Sequence, residues 1–302
     1  MSTLDKIIII LGPTASGKTK LAVSLAREFD GEIISADSRQ VYEEMNIGTG
    51  KDLAEYQNVP YHLINIKKPN EEFNVAEFKG LAVGVARNIL SRGKLPIICG
   101  GTGLYLSAII DNYDFSTDES NTEIRRRVEG MSSEEKIKTL EEIDPESIEM
   151  IDIKNPRRLN RAVEVVLAGQ KFSDKQTKSS PLFDTLQIGI DAERDKLKEK
   201  INKRVDEMFK NGLVEETQGI IKKYGKECAV LETIGYSEVM DYLDGKVKIE
   251  ETKELIKTHT HQFAKRQMTW FKRDKRIRWI SDKDEAKELV KDFNKKELRD
   301  MK

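Results

Sequence analysis

The period of the apolar positions changes along this chain, and those changes lay out its elements. Lys6-Ile7-Ile8-Ile9-Ile10-Leu11 is a near-continuous apolar run closed by Gly12. That is the pattern of a strand covered on both faces, where β-branched side chains pack well. Leu21, Ala22, Leu25 and Ala26 then recur at helical spacing. A second strand opens at Gly31 and ends in the polar turn Asp37-Ser38-Arg39-Gln40-Val41-Tyr42, and a short third covers residues 62–66. Phe73, Ala76 and Phe78 open an amphipathic helix that runs through Leu81, Val85 and Leu90 to a stop at Gly93. Pro96-Ile97-Ile98-Cys99 is another buried strand, followed by a glycine turn and a helix reaching Ile110.

Residues 112–181 break this alternation. They are charged and helical, with starts at Ser132-Ser133-Glu134-Glu135, at Asp144-Pro145 and at Asn155-Pro156, where Asn caps and Pro takes the first turn. A strand resumes at residues 186–190, and two helices fill residues 192–224. Their stripe of Leu197, Ile201, Val205 and Met208 is core. The last long helix spans Ile249–Phe271, and Ile277-Arg278-Trp279-Ile280 is a short strand that completes the sheet. The expected fold is α/β: a P-loop-type parallel sheet flanked by helices (residues 1–111 and 182–302) with a helical insertion domain at 112–181.

The totals narrow the class. In 302 residues, 38% hydrophobic and 35% charged content describe a large core under a solvated helical surface. The longest apolar run is too short to cross a bilayer and no signal-like segment precedes it, so no membrane role is expected. Two cysteines, Cys99 and Cys228, build no disulfide framework, which makes a reducing cytoplasm the expected compartment. Nothing in the pattern demands more than a monomer. The net charge of −1 draws nucleic acid to no general field, yet from Lys257 to Trp279 eight Lys and Arg face the single Asp274. Phe263, Trp270, Phe271 and Trp279 are interleaved with them, which suits nucleic-acid contact, a solvated face being the plainer alternative.

The sharpest chemical signal is Gly12-Pro13-Thr14-Ala15-Ser16-Gly17-Lys18-Thr19, set between a strand and a helix. Backbone N–H groups of such a loop converge on an anion, Lys18 reaches an outer phosphate and the Thr19 hydroxyl ligates Mg²⁺. Asp37 lies beyond the carboxyl end of a strand, the ligand side of an open α/β sheet, and is either an acceptor of a substrate proton or an Asx-turn cap. Thr102, in Gly100-Gly101-Thr102-Gly103-Leu104-Tyr105, is either a close backbone approach to substrate or a simple strand-to-helix turn. Arg157 and Arg161 share a helix face with only Glu164 near enough to pair, which points to an external anion or to solvated arginines. His62 reads as a packed histidine, and His259 and His261 point to different sides of a helix rather than to a metal.

Taken in order, Gly12 to Thr19, Asp37 to Tyr42, Gly100 to Tyr105, Asn155-Pro156-Arg157-Arg158 and Ala264-Lys265-Arg266-Gln267-Met268-Thr269-Trp270-Phe271 resemble the motifs of bacterial tRNA dimethylallyltransferases over nearly the whole chain. The resemblance implies transfer of a dimethylallyl group from dimethylallyl diphosphate to N6 of the adenosine 3′ to the anticodon. It also implies dependence on Mg²⁺ and an insertion that clamps the tRNA anticodon stem-loop. By the same resemblance Lys18, Thr19, Asp37 and Thr102 are catalytic. Ser38, Arg39, Gln40, Arg125, Arg157, Arg158, Leu159, Asn160, Arg161, Gly235, Tyr236, Lys265, Arg266, Gln267, Thr269 and Trp270 join Asp37 and Thr102 against the tRNA. Many relatives carry Arg where this chain has His261 and Pro where it has Asp52. Two rivals stay open: a small-molecule kinase using the same loop, and an RNA-binding switch that uses nucleotide only to change shape.

Overall fold

The structure is a computed structural model describing residues 4–113, 115, 122–173 and 179–300. The chain divides into two compact units. One comprises Met1–Ile110 with Leu182–Lys302, and the other Asp111–Pro181.

Six parallel strands form the sheet of the first unit: β1 (Lys6–Leu11), β2 (Gly31–Ser35), β3 (Tyr61–His62), β4 (Leu95–Gly100), β5 (Asp184–Ile190) and β6 (Arg278–Ile280), in the order β3-β2-β4-β1-β5-β6. Because all are parallel, every carboxyl end lies on one edge, and β1 sits centrally between β4 and β5. Alternation on β1 sends its side chains to two apolar layers. Ile7, Ile9 and Leu11 pack with α2 (Val75–Ser91) and α3 (Gly103–Ile110), through Phe78, Ala82 and Leu106. Ile8 and Ile10 pack with α1 (Lys18–Glu28) through Leu21, Ala22 and Leu25. A third cluster joins Val41 and Met45 to α8 (Arg194–Lys210), α9 (Leu213–Tyr224), α10 (Tyr236–Leu243) and α11 (Ile249–Phe271).

Three boundaries differ from the pattern. The strand expected over 62–66 stops at His62, because Leu63 (φ 62°) and Asn65 (φ 55°) leave the β region. The helix expected from Phe73 begins at Val75, since the Asn74 side chain caps it by accepting from the Glu77 N–H at 2.9 Å. The Ile249–Phe271 helix is not the last long one. A further helix, α12 (Lys283–Asp300), buries Ala286, Val290 and Phe293 against the layer that holds Ile280, on a stripe too sparse among charges to stand out. Among the described residues no helix is long and apolar enough to cross a membrane.

The second unit is built from α4 (Thr122–Glu129), α5 (Ser133–Ile143), α6 (Glu146–Met150) and α7 (Pro156–Leu167) around Val128, Leu140, Leu159, Ala162, Val163 and Val166. Its caps are those read from the pattern. Ser132 and Glu135 form a capping box, and Asn155 accepts from the Arg157 N–H at 3.1 Å.

Candidate active site

The loop after β1 turns directly into α1. Gly17 caps that helix in the left-handed region (φ 90°), a conformation that only Gly reaches without strain, and no acidic residue occupies the first turn. The positive end of α1 is therefore uncancelled by any side chain of its own first turn. The Ser16 hydroxyl is buried with no hydrogen-bond partner. Lys18 Nζ donates to the Pro13 carbonyl at 2.6 Å, and burial lowers its pKa to about 8.

This loop forms one wall of a cavity of about 750 Å³, in which Lys18, Thr19, Asp37, Lys51, Arg204 and Gln267 all take part. Arg204 crosses it: Nη1 donates to Thr14 Oγ1 at 3.2 Å and Nη2 to the Thr49 carbonyl at 3.1 Å. Gly50 lets it pass, since a Cβ there would lie 1.2 Å from Nη2. Burial pushes the Arg204 pKa below the ordinary guanidinium range against the opposing pull of Asp37, Glu55 and Asp52, none of which forms an ion pair with it. Lys51 is also buried. Its Nζ donates to the Tyr42 carbonyl (2.6 Å) and to Asn65 Oδ1 (2.5 Å), both neutral, and burial lowers its pKa to about 8. Glu216 fixes the loop that carries these contacts by accepting from the N–H groups of Asn46, Ile47 and Gly48 and from the Tyr236 hydroxyl.

Asp37 forms the Asx turn and also lines the cavity. Oδ1 accepts from the N–H groups of Arg39 (2.9 Å) and Gln40 (3.3 Å), which fixes the carboxylate, while Oδ2 has no hydrogen-bond partner among the described residues. Thr102 Oγ1 accepts from the Ser38 N–H at 3.0 Å, and its own N–H donates to the Ala36 carbonyl. The carboxyl ends of β2 and β4 are thereby fastened together beside Asp37.

The other expected contacts divide. Lys265, Arg266 and Thr269 are exposed on α11, with the Arg266 guanidinium 5.9 Å from the Phe263 ring. Trp270 lies against Gly103, and Gln267 is buried between two backbone groups. Tyr236 corrects the expectation of an RNA contact: it is wholly buried, its hydroxyl spent on Glu216, while the neighbouring Gly235 N–H donates to Glu238. Leu159 likewise faces the core of the second unit and offers no surface. On that unit Arg125, Arg157 and Arg158 are exposed, Asn160 is partly buried and Arg161 pairs with Glu164 at 3.3 Å. His62 bonds Glu32, His259 bonds Glu238 and His261 bonds Asn202, so each histidine is occupied.

Sequence reasoning missed Arg204, Lys51 and Glu216. For Arg204 the signal existed: it stands seven residues after Leu197 and three after Ile201, on the buried stripe itself.

A parallel sheet, a phosphate loop and a carboxylate at the neighbouring strand end define a phosphate-binding protein of the phosphate-loop class. The IPP transferase family matches residues 40–274, and the isopentenyl transferase family matches residues 5–59. A tRNA dimethylallyltransferase of Geobacillus thermodenitrificans is 43% identical over 295 residues, 95% of this chain and 94% of that one. One from Acetivibrio thermocellus is 42% identical, over 93% of each. Among solved structures, the tRNA isopentenylpyrophosphate transferase of Bacillus halodurans superimposes with a TM-score of 0.73 at 36% identity, covering 98% of this chain and 97% of that one. A eukaryotic dimethylallyltransferase acting on tRNA gives 0.78 at 30%, covering 88% of this chain and 69% of that one. This chain belongs to the IPP transferase family.

Proposed function

We propose that this protein transfers a dimethylallyl group from dimethylallyl diphosphate to N6 of the adenosine 3′ to the anticodon in tRNA, releasing diphosphate. The observation that carries this reading is the cavity itself, where Lys18, Lys51 and Arg204, none in ion-pair contact with a carboxylate among the described residues, share the lining with the fixed carboxylate of Asp37. A diphosphate leaving group supplies the missing negative charge. Loop amides, Lys18 and Arg204 hold it while the bond between the allylic carbon and its phosphate oxygen breaks. The adenine amine forms the new C–N bond, and its proton passes to Asp37.

A divalent cation fits the donor set. Thr19 lines the cavity with Asp37, Asp52 and Glu55, all hard oxygen donors, while no cluster of three or more His, Cys, Asp or Glu among the described residues would chelate a metal alone. Thr19 would hold Mg²⁺ together with diphosphate oxygens, where the ion neutralises leaving-group charge. Arg125, Arg157, Arg158 and Arg161 on the second unit, and separately Lys265, Arg266 and Thr269 on α11 of the first, supply phosphate contacts for the anticodon stem-loop.

The test is transfer of label from dimethylallyl diphosphate, with Mg²⁺, to an unmodified anticodon stem-loop bearing that adenosine. Labelled RNA is the expected result. ATP turnover with no labelled RNA would move the site to phosphoryl transfer.

A further inference from the structure

Past the ends of β1 and β4 the sheet no longer sets the distance between the chains. Leu11 and Gly100 are the last residues in register, and the phosphate loop and the Thr102 turn begin just beyond them. One side chain carries the spacing further. Gln267 of α11 accepts from the Thr14 N–H through Oε1 at 2.8 Å and donates from Nε2 to the Gly101 carbonyl at 2.9 Å. Its orientation is fixed by its partners, because a backbone N–H can only donate and a carbonyl can only accept. The amide thus stands between the two segments as an extra rung of the sheet, and it is 7% exposed. The approach is close enough that a Cβ on Gly101 would lie 2.3 Å from Nε2. One turn later Trp270 covers Gly103 so tightly that a Cβ there would lie 2.4 Å from its ring.

We propose that Gln267 is a positioning residue for the transfer reaction, setting the separation between the donor held by the phosphate loop and the acceptor held at Asp37. The inference rests on the function proposed above. The connection is continuous: Thr14 to Gln267, Gln267 to Gly101, Thr102 to Ser38, and Asp37 through its Asx turn. Donor carbon and acceptor nitrogen are thus carried by segments that this side-chain rung helps hold in step beyond the end of the β1–β4 ladder. A misplacement of about 1 Å between reacting groups costs on the order of 100-fold in rate. A glutamine that merely satisfied itself in the core would affect stability and leave the chemical step alone.

Gln267→Met keeps length and apolar bulk but removes both bonds, and Gln267→Glu keeps the acceptor for Thr14 while losing the donor to Gly101. Single-turnover transfer to the stem-loop is expected to fall about 100-fold in Gln267→Met, with stem-loop Kd within about twofold of the unaltered protein. Gln267→Glu is expected to lose rate as well, which keeps the test alive should Gln267→Met fail to fold. A rate within about threefold of the unaltered protein in the folded variants, or a loss that recovers fully at lower temperature alongside the unfolding midpoint, overturns the proposal. The Thr14 amide is read separately by hydrogen exchange, expected to quicken at least about tenfold in Gln267→Met because its acceptor is gone. If the unaltered protein transfers nothing while Thr14 exchange still quickens, the functional reading has failed and the rung stands. Unchanged exchange removes the rung whatever the activity.

Discussion

Two carboxylates flank β2, and their surroundings are opposites. Glu32, near the amino end, is almost wholly buried and fully compensated. Arg92 grips both of its oxygens (2.8 Å from Nη2 to Oε2), His62 Nε2 lies 2.9 Å away and Lys94 at 3.8 Å. The Arg92 guanidinium pulls its pKa down to about 2. At the carboxyl end, around Asp37, Lys51 is buried and Lys18 and Arg204 are partly buried, and none of these cations has a carboxylate in ion-pair contact among the described residues. Burying an unpaired charge is costly, so a fold keeps one where a ligand completes it. The first end serves stability, and the second is the end to which the proposed function assigns binding. The sign of what is missing, a negative charge, names the class of ligand.

The comparison breaks most visibly at Asp37. Asp37→Asn keeps Oδ1 as the acceptor for the Arg39 and Gln40 amides, so the turn survives while the proton acceptor is lost. The transfer rate is expected to fall by roughly 10² to 10⁴ with stem-loop binding intact, as measured by single-turnover kinetics beside RNA titration. Glu32→Ala is expected to do the reverse. Leaving Arg92 and His62 without their partner should cost roughly 3 kcal/mol in urea unfolding while the turnover of folded protein stays the same. The sign follows from the depressed pKa. Glu32 contributes stability in full above its ordinary pKa of 4.5, and that contribution is lost as pH falls toward about 2. The acid-unfolding curve of Glu32→Ala should therefore lose its slope across that window.

How far the sequence exposed these two ends depends on how local each feature is. The phosphate loop, the Asx turn at Asp37 and the Asn155 cap are made by neighbours in the chain, so their spacing announced them. The alternation of strands and helices did the same for the sheet. Arg204 meets Thr14 across 190 residues and Glu216 meets Asn46 across 170, and no local pattern carries such pairings. Tyr236 shows the opposite error. The resemblance placed it against the tRNA, yet the loop it supports covers it completely, with Gly48 pressed against its ring. Gln267 sits in a basic stretch whose charges drew the reading outward, while the helix turns that one residue inward.

Arg204 sharpens the comparison at intermediate size. Because its charge is partly desolvated and forms no ion pair among the described residues, Arg204→Met should raise or leave unchanged the unfolding midpoint of the free protein, whereas a structural arginine would lower it. Affinity for dimethylallyl diphosphate, read by calorimetry, should fall roughly 100-fold, the scale of a charge-assisted bidentate contact. Loss of stability together with unchanged affinity would place Arg204 with Glu32 among the structural charges.

The smallest expected effect is a pH dependence, and it tests the uncompensated end directly. Lys18 titrates at about 8 instead of its ordinary 10.5, so the free protein loses this positive charge as pH rises through 8. The phosphates of an allylic diphosphate ester are already ionised there, which leaves the protein as the titrating partner. Affinity for the ester should weaken by on the order of tenfold per pH unit above about 8, and Lys18→Met should flatten the share that Lys18 carries. Stability moves the other way. A lysine whose folded pKa lies below its unfolded value destabilises the fold while charged, and that penalty is relieved between about 8 and 10.5. Binding should therefore weaken over the interval in which the free protein gains stability. At Glu32 the charged form is the stabilising one, and no such opposition arises.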